Sequence, residues 1–292
     1  MNTRFKSLLA VVSLIFLLIA CAGNQKLSTD EEVSAEPLRE TTIIMTPPVL
    51  DKDIWMPEVG SVWQWQLSGL PVDVSVEADV YDIDLFENDA ILVEELHTMG
   101  RSVVCYISVG SWEDWREDAD AFPDEVIGKD YQGWEGEKWL DVRQIDLLAP
   151  ILSARLDVCQ QKGFDGVEAD NVDGYLNDTG FDITYADQLA FNIWLAQEAH
   201  IRGLSIGLKN DMEQVERLSP YFDWALTESC FEQDWCTQLE DFIWAGKAVI
   251  DVEYTDSTID FGKICPLAES MQISVILKNR DLDAFRQTCP DN

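Results

Sequence analysis

The stretch GFDGVEADNVDGY at residues 163–175 places four acidic side chains around one short run of β-favouring residues. Runs of similar character recur along the chain, and helix-like spacing of apolar residues separates them, as in residues 88–100 and 185–203. Strands that alternate with helices pair in parallel, so eight units within residues 55–292 predict a single-domain (β/α)8 TIM barrel. The eight runs begin at Val62, Asp79, Ser102, Gly163, Leu204, Phe222, Lys247 and Ile273.

An open, doubly wound α/β sheet is the alternative architecture for such a pattern. A sheet of that kind often carries a glycine-rich phosphate-binding loop after its first strand. This chain has QLSGLPVD at residues 66–73, which does not match that loop, so the barrel is the favoured prediction.

The predicted strands end in unusually polar residues. In (β/α)8 barrels the chemistry takes place at the carboxyl ends of the strands, and a barrel built only for stability has no reason to place acidic residues there repeatedly. These ends are therefore the candidates for a functional site. In chain order they are Gln64 and Gln66; Asp82 and Asp84; Ser108, Val109 and Gly110; Glu168, Asp170 and Asn171; Lys209, Asn210 and Asp211; Thr227 and Glu228; Glu253 and Tyr254; and Lys278.

Two carboxylates from different strands, accompanied by amides and a lysine, are the groups that glycoside hydrolysis requires. One acid protonates the leaving oxygen, and one carboxylate meets the oxocarbenium-like carbon. Aromatic rings add to this interpretation because they stack on sugar faces, although packing alone would account for any one of them. The tryptophans in or beside predicted loops are Trp63, Trp65, Trp112, Trp115, Trp134, Trp139 and Trp235.

Five sequence blocks occur in a consistent order: CYISVGSWEDWR (105–116), GWEGEKWLDVR (133–143), GFDGVEADNVDGY (163–175), LKND (208–211) and TESCF (227–231). Together they resemble glycoside hydrolase family 114, the endo-α-1,4-polygalactosaminidases, over nearly all of residues 55–292. The resemblance implies a TIM barrel that hydrolyses α-1,4-linked galactosaminoglycan with an Asp after strand four and a Glu after strand six. Asp170 and Glu228 occupy these two positions. Ala169 departs from the family pattern, which more often has Pro there, but both acids are intact.

The two catalytic roles can also be argued from the residues. We expect Asp170 to be the nucleophile, because Asn171 and Lys209 can keep its carboxylate ionised. We expect Glu228 to be the acid/base, which needs a pKa raised by burial. Glu168 lies two residues before Asp170 on the same strand face, so it is a charge neighbour or the alternative nucleophile. The predicted substrate contacts are Asp82, Asp84, Glu168, Asn171, Lys209, Asp211, Glu253, Tyr254 and Trp112.

Other acidic residues receive structural interpretations. Asp165 and Asp173 are expected to serve turns and helix caps. Residues 82–95, DIDLFENDAILVEE, have acids at the spacing of a calcium loop, but Glu87 stands where that loop needs Gly. No metal and no cofactor are predicted.

The N-terminus reads as a secretion signal followed by a tether. Arg4 and Lys6 precede an apolar run over residues 8–20 that is short for a membrane span. Residues 21–54 are polar and patternless, as in a flexible tether that holds the barrel at a distance.

The end of the signal resembles the lipobox of bacterial lipoproteins. Residues 18–21 read Leu-Ile-Ala-Cys, and the resemblance implies that residues 1–20 are removed and that Cys21 carries the lipid. An ordinary secretory signal with an unrelated thiol is the alternative. The lipobox implies a lipid-anchored protein of the bacterial cell envelope, and Ala22 in place of Asp after the cysteine favours the outer membrane.

Six further cysteines, an even number, fit an oxidising compartment and allow fifteen disulfide connectivities. A zinc site is the rival, but the chain has no CxxC pair and only two histidines. The favoured pairs are Cys230–Cys236, which would close one loop, Cys265–Cys289, which would pin the C-terminus, and then Cys105–Cys159.

The chain is strongly acidic, with 20 Lys and Arg against 55 Asp and Glu and a formal net charge of −35. Such a surface repels nucleic acid and attracts cations, although solubility alone would also explain it. Together with the family resemblance, the charge predicts a cationic, de-N-acetylated galactosaminoglycan as the preferred substrate. The alternatives are hydrolysis of another α-galactoside, or a sugar-binding or matrix-anchoring lipoprotein without turnover.

Overall fold

Eight parallel strands form the centre of residues 54–290, the part of the chain that this computed structural model describes. Each strand pairs in parallel with the next one along the chain, which confirms the predicted (β/α)8 barrel and all eight predicted strand runs. The strands are β1 (Trp63–Gln66), β2 (Val80–Asp84), β3 (Ser102–Ser108), β4 (Gly166–Asp170), β5 (Ser205–Lys209), β6 (Trp224–Glu228), β7 (Val249–Tyr254) and β8 (Ser274–Lys278).

Helices connect the strands from β2 onward. Residues 67–79, between β1 and β2, form no α-helix, and α4 and α5 are only about one turn long. The helical units of the barrel are therefore reduced, while its strands are complete. In the described residues the α-helices are α1 (Ala90–Thr98), α2 (Ile145–Lys162), α3 (Tyr185–Ile201), α4 (Val215–Leu218), α5 (Glu240–Trp244) and α6 (Phe261–Met271).

The C-terminal segment lies between the last and the first barrel strand. Residues Gln287–Thr288 pair antiparallel with β8. On the other side, Gln64 Nε2 donates to the carbonyl oxygen of Ala284 at 3.0 Å, and Arg286 Nη1 donates to that of Trp63 at 2.8 Å. The segment thus completes the backbone and side-chain hydrogen bonding between β8 and β1.

Side chains alternate between the two faces of each strand, which produces two separate hydrophobic layers. One layer fills the space between the sheet and the helices. The other fills the barrel interior, where Trp63 and Trp224 pack with their ring centroids 5.0 Å apart. Gly207 makes room for this packing, because a Cβ atom there would lie 2.3 Å from the Trp224 ring.

A three-stranded antiparallel sheet is inserted between β3 and α2, and the sequence pattern did not predict it. Its strands are Ser111–Glu113, Ile127–Asp130 and Glu137–Leu140, with Glu137–Leu140 in the middle. The segments have three or four residues each, which is too short for a clear period-two pattern. This sheet forms one wall beside the carboxyl ends of the barrel strands.

All six cysteines of the described residues are paired in disulfides, and the three pairings are those favoured from the sequence. Cys105–Cys159 joins β3 to α2, Cys230–Cys236 closes the loop after β6, and Cys265–Cys289 joins α6 to the C-terminal segment. The alternative interpretation, a zinc site, needs free thiolates, and these six sulfur atoms are all in disulfides.

The predicted signal at residues 1–20, the lipidation site Cys21 and nearly all of the tether at residues 21–54 lie outside the described residues. Within the described part of the chain, no helix has both the length and the apolar character needed to cross a membrane.

Candidate active site

The carboxyl ends of the barrel strands surround a cavity of about 650 Å³. Lys209, at the end of β5, stands between Asp170 at the end of β4 and Glu228 at the end of β6, because β5 lies between these strands in the sheet. Its Nζ atom is 2.9 Å from Asp170 Oδ1 and 3.2 Å from Glu228 Oε2. The barrel thus brings the two predicted catalytic carboxylates together around one ammonium group.

Two further donors hold the Asp170 carboxylate. The Tyr106 hydroxyl donates to Oδ2 at 3.0 Å, and the backbone N–H of Asn171 donates to Oδ1 at 2.8 Å. Together with Lys209 these donors fix the position of the carboxylate. Tyr106 comes from the middle of β3 and was not among the predicted site residues.

Glu228 is held in a similar way. Tyr254, at the end of β7, donates its hydroxyl proton to Oε1, and Asn210 Nδ2 donates to Oε2 at 3.3 Å. The backbone N–H of Glu228 donates in turn to Asn210 Oδ1 at 2.9 Å. These contacts place Tyr254, which the sequence predicted as a site residue, directly on the carboxylate of Glu228, the predicted acid/base.

The expectation of a raised Glu228 pKa is wrong for this arrangement. Burial does raise the pKa of Glu228, but the Lys209 ammonium and the hydrogen bonds from Tyr254 and Asn210 outweigh it, so the pKa lies below its usual value. The neighbouring Lys209 is only 3% exposed. Burial would lower the pKa of Lys209, yet the surrounding carboxylates, Asp170 foremost, raise it well above its usual value.

The chain turns sharply where these strands end. Asn171, Asn210 and Ser229 follow β4, β5 and β6, and they have φ values of 65°, 50° and 56°. The left-handed region is costly for residues with a Cβ, and strained backbone of this kind is concentrated at functional sites. Gly110 allows the turn after β4 to form, because a Cβ atom there would lie 1.6 Å from the carbonyl oxygen of Asn171.

Asp82 and Glu168 lie beneath the cavity, in the barrel interior. Both side chains are fully buried, and neither lines the cavity. Glu168 Oε1 is 3.2 Å from Lys209 Nζ, and no N–H or O–H group of the other described residues forms a hydrogen bond to the carboxyl oxygens of Asp82 or Glu168. Direct substrate contact, predicted for both, is therefore wrong, because the layer of Lys209 separates them from the cavity.

The burial of this pair has an electrostatic consequence. Burial and the adjacent Glu168 charge raise the pKa of Asp82 well above its usual value. Burial also raises the pKa of Glu168 to about 7, against the opposing charge of Lys209. Two buried carboxyl groups this close to each other do not both ionise readily, and a shared proton stabilises such a pair. The pair therefore resists carrying two negative charges, and Glu168 faces Lys209 from below.

Two other predicted contacts, Asp84 and Trp112, have structural partners. Asp84 lines the cavity, but its carboxylate forms an ion pair with Arg116 at 2.7 Å, and Arg116 also binds Glu113. Trp112 does not line the cavity, and its Nε1 donates to the carbonyl oxygen of Ala119. Of the two predictions, substrate contact is wrong for Trp112, while Asp84 reaches the cavity wall with its charge neutralised.

Glu253 and Asp211 are also held by neighbours. Glu253 accepts the backbone N–H groups of Phe231 and Glu232 at 2.9 and 3.0 Å, so it shapes the loop after β6 and does not line the cavity. Substrate contact is therefore wrong for Glu253. Asp211 lines a second, adjoining cavity of about 300 Å³ and accepts hydrogen bonds from Tyr175 and Asn192, each at 3.0 Å. Burial raises the pKa of Asp211 to about 9.

Asn171 lines the cavity as predicted, and its amide reaches the inserted sheet. Nδ2 donates to Glu137 Oε1 at 3.1 Å, and Ser111 donates its hydroxyl proton to the same oxygen. Burial raises the pKa of Glu137 to about 7. Glu137 and the exposed rings of Trp115 and Trp134 line the same wall, and only the tryptophans had a signal in the sequence, as aromatic residues in predicted loops.

The two acids expected to serve turns and caps behave differently. Asp165 accepts hydrogen bonds from His97 and from the backbone N–H of Val103, at 2.9 and 2.8 Å, so it is structural but joins α1 to β3. Asp173 precedes the 3-10 helix Gly174–Leu176, and its side chain makes no cap hydrogen bond. Instead it lines both cavities, so the capping prediction is wrong for Asp173.

Comparison with known proteins gives a consistent result. The model of glycoside-hydrolase family GH114 matches residues 45–292. The crystal structure of Aspergillus fumigatus Ega3 in complex with galactosamine shares 38% identity over 83% of this chain and 100% of that chain, with a TM-score of 0.77. No curated protein matched the chain.

A more distant structure supports the fold alone. The glycoside hydrolase domain of PelA from Pseudomonas aeruginosa shares 14% identity over 80% of this chain and 100% of that chain, with a TM-score of 0.66. The family match covers most of the chain, and the Ega3 similarity covers the whole barrel of that relative. The chain therefore belongs to glycoside hydrolase family GH114 and is a glycoside hydrolase.

Proposed function

We propose that this glycoside hydrolase cleaves α-1,4-linked galactosaminoglycan, a polymer of galactosamine units. The observation that carries the proposal is the pair of carboxylates, Asp170 and Glu228, that Lys209 bridges at the floor of an open cavity. Similarity to Ega3, which was solved with galactosamine, supports an amino sugar as the unit bound.

The lining of the cavity supports a cationic substrate. Eight acidic and three basic side chains line the larger cavity. Walls of one sign concentrate ligands of the opposite sign, and galactosamine amines are largely protonated at neutral pH. Trp115 and Trp134 are about half exposed at its rim, where their rings can stack on sugar faces.

The reaction follows from the two carboxylates. In the first step the Asp170 carboxylate attacks the anomeric carbon, the bond from this carbon to the glycosidic oxygen breaks, and Glu228 gives its proton to that oxygen. In the second step Glu228 takes a proton from water, and the water oxygen displaces Asp170 from the anomeric carbon. Each step inverts the anomeric centre, so the product retains the configuration of the substrate.

The geometry favours retention over inversion. The two carboxylate oxygens that bind Lys209 Nζ can be no farther apart than the sum of 2.9 and 3.2 Å. Retaining enzymes hold their carboxyl groups about 5 to 5.5 Å apart, whereas inverting enzymes need about 6.5 to 9.5 Å to admit a water molecule. This upper limit lies below the separation that inverting enzymes need, which supports retention.

The difference in exposure supports the order of roles. The Glu228 side chain is 30% exposed and that of Asp170 is 18% exposed. A sugar bound over the pair therefore removes more water from Glu228, which raises its pKa towards the value that a proton donor needs. Asp170 keeps its donors, Tyr106 and the Asn171 backbone, beneath the bound sugar.

Endo action is supported by the two adjoining cavities. Asp173, Asn210, Glu228 and Arg280 line both, so the catalytic Glu228 lies where the cavities meet. A polymer can extend from one cavity into the other across Glu228, which places sugar units on both sides of the cleaved bond. Cleavage within the chain then requires no free polymer end.

The proposal is tested with soluble protein that lacks residues 1–21. We expect this protein to shorten de-N-acetylated galactosaminoglycan to a ladder of oligosaccharides and to leave a neutral α-galactan uncut. The rate on the cationic polymer should fall as salt rises, because the Debye length shrinks from ~10 Å at 0.1 M to ~3 Å at 1 M. If only the neutral polymer were cleaved, the proposed substrate would be wrong. If only single sugar units were released, the proposed endo action would be wrong.

We also propose that the protein is a lipoprotein of the bacterial cell envelope, anchored through Cys21, on the strength of the lipobox resemblance. The Cys21→Ser variant should lose the lipid anchor and leave the membrane fraction, or accumulate as the unprocessed precursor. Fractionation of cells that express either form, with mass spectrometry of the N-terminus, makes the measurement. Unchanged fractionation of the variant would exclude the anchor.

A further inference from the structure

Asp173 occupies a position that the proposed chemistry does not explain. It follows β4 by three residues, lies at the junction of the two cavities and contributes its side chain to the lining of both. Asp170 and Glu228 are close enough for their charges to act on it. Its carboxylate is therefore next to the proposed point of cleavage.

Asp173 differs from the other acids around it in its lack of partners. Arg116 forms ion pairs with Asp84 and Glu113, while Ser111 and Asn171 bind Glu137, and Tyr175 and Asn192 bind Asp211. Of the buried and partly buried acids that line the two cavities in residues 54–290, Asp173 alone accepts no hydrogen bond from another residue.

Burying a carboxylate without a side-chain partner at this junction is energetically unfavourable. Burial raises the pKa of Asp173 to about 6, and the Asp170 charge adds to this effect. A desolvated carboxylate is stabilised when a cation supplies both the opposite charge and hydrogen-bond donors. Its own backbone N–H and the Lys209 charge lower the pKa of Asp173, but no side chain of residues 54–290 donates a hydrogen bond to its carboxylate, whereas a protonated amine on a bound sugar would do so.

We propose that Asp173 binds the protonated amine of the galactosamine unit at the junction of the two cavities and selects free-amine units over N-acetylated ones. The proposal rests on the proposed function, since it assumes a galactosamine polymer in the cavities. An acetamido group keeps one N–H donor, but it is neutral and adds a carbonyl oxygen that the carboxylate repels, so it cannot supply the charge of the ammonium group.

The test compares two matched sets of α-1,4-linked galactosamine oligosaccharides, one with free amines and one fully N-acetylated. In Asp173→Asn, kcat/KM on the free-amine set should fall by about 10- to 100-fold, the range of a lost charge-assisted hydrogen bond. On the acetylated set it should change by less than about threefold. The ratio of the two values is the readout, since a merely structural defect would lower both.

Glu87→Gln is the matched control. Glu87 is exposed on the rim of the same cavity, so its replacement removes one negative charge from the mouth without touching the junction. We expect Glu87→Gln to leave the selectivity ratio within about twofold of the wild-type ratio, because an exposed charge is screened by solvent and salt. Three results would overturn the proposal. The two variants could lose selectivity equally, Asp173→Asn could lower kcat/KM equally on both substrates, or Asp173→Asn could leave kcat/KM unchanged.

Binding separates this inference from the proposed function. If the wild-type protein cleaves neither set, the proposed function fails, and calorimetric titration with galactosamine and with N-acetylgalactosamine still tests Asp173. The wild type should prefer galactosamine, and Asp173→Asn should lose that preference. A preference that survives in the variant, or a wild type that binds neither sugar, would overturn the role of Asp173.

Discussion

Asp170→Asn and Glu228→Gln should each lower kcat on galactosaminoglycan by about 10³-fold or more while the melting temperature stays within a few degrees. Both carboxylates act mainly in the transition state, where proton transfer alone contributes about 10²- to 10⁴-fold. Amide replacements keep the size of each side chain and remove its charge, so the hydrogen bonds from Tyr106 and Tyr254 retain an acceptor. Near wild-type turnover in both variants would show that the catalytic pair lies elsewhere.

Azide distinguishes the two roles. In Asp170→Ala, azide can enter the space of the lost nucleophile and attack an activated α-galactosaminide, which gives a β-glycosyl azide. In Glu228→Ala, azide can attack the intermediate formed on Asp170, which gives an α-glycosyl azide. The anomeric configuration of the product, read by NMR, therefore assigns nucleophile and acid/base. The opposite pairing of products and variants would reverse the roles proposed here.

The strands and the proximity of Asp170 and Glu228 could be predicted because their signals are local. Each barrel strand is a short β-favouring run with a polar end, and the position of an end in a parallel barrel determines which face of the molecule it reaches. Asp170, Lys209 and Glu228 therefore had to approach one another once the strand order was known. The disulfides followed from cysteine number and spacing, since Cys230 and Cys236 are six residues apart.

Depth within the barrel could not be predicted in the same way. Asp82 and Asp84 point to the same face of β2, yet Asp82 is buried in the barrel interior while Asp84 reaches the wall of the cavity. The difference depends on the height of each residue along the barrel axis, which strand tilt and neighbouring side chains set together. The lowered pKa of Glu228 likewise depends on the Lys209 ammonium lying 3.2 Å away.

The inserted sheet and the orientation of Asp173 are two further features that could not be predicted from the sequence. The strands of the insertion are stabilised by pairing with each other across residues 111–140, and contacts of that kind leave little trace in a run of three or four residues. Asp173 has the residue type and position of a helix cap, and only the three-dimensional arrangement shows that its side chain turns to the cavities.

Lys209→Met should abolish activity and also destabilise the protein, by about 3 to 5 kcal/mol, the usual cost of removing one partner from a buried ion pair. The ammonium forms ion pairs with Asp170 and Glu228 above it and with Glu168 below it. Methionine keeps an unbranched apolar side chain that can pack beside the Trp65 ring, but it leaves these carboxylates to repel one another. Denaturant unfolding of both proteins measures the loss.

The pH dependence of this loss has a definite sign. Lys209 lowers the pKa values of Glu168 and Glu228, so its removal raises both in the folded protein. A carboxyl whose folded pKa exceeds its unfolded value binds more protons when folded, and its contribution to stability falls as pH rises through that interval. The deficit of Lys209→Met should therefore be larger at pH 8 than at pH 4.5, where protonation relieves the repulsion.

A second substitution separates charge from packing. Adding Glu168→Gln to Lys209→Met removes the most deeply buried of the three charges, and its amide can donate to Asp82. If uncompensated charge causes the destabilisation, the double variant should recover about half of the lost free energy of unfolding and lose most of its pH dependence, while turnover stays abolished because Asp170 and Glu228 still lack their shared cation. A double variant as unstable as Lys209→Met at every pH would instead attribute the defect to packing and contradict the electrostatic role of Lys209.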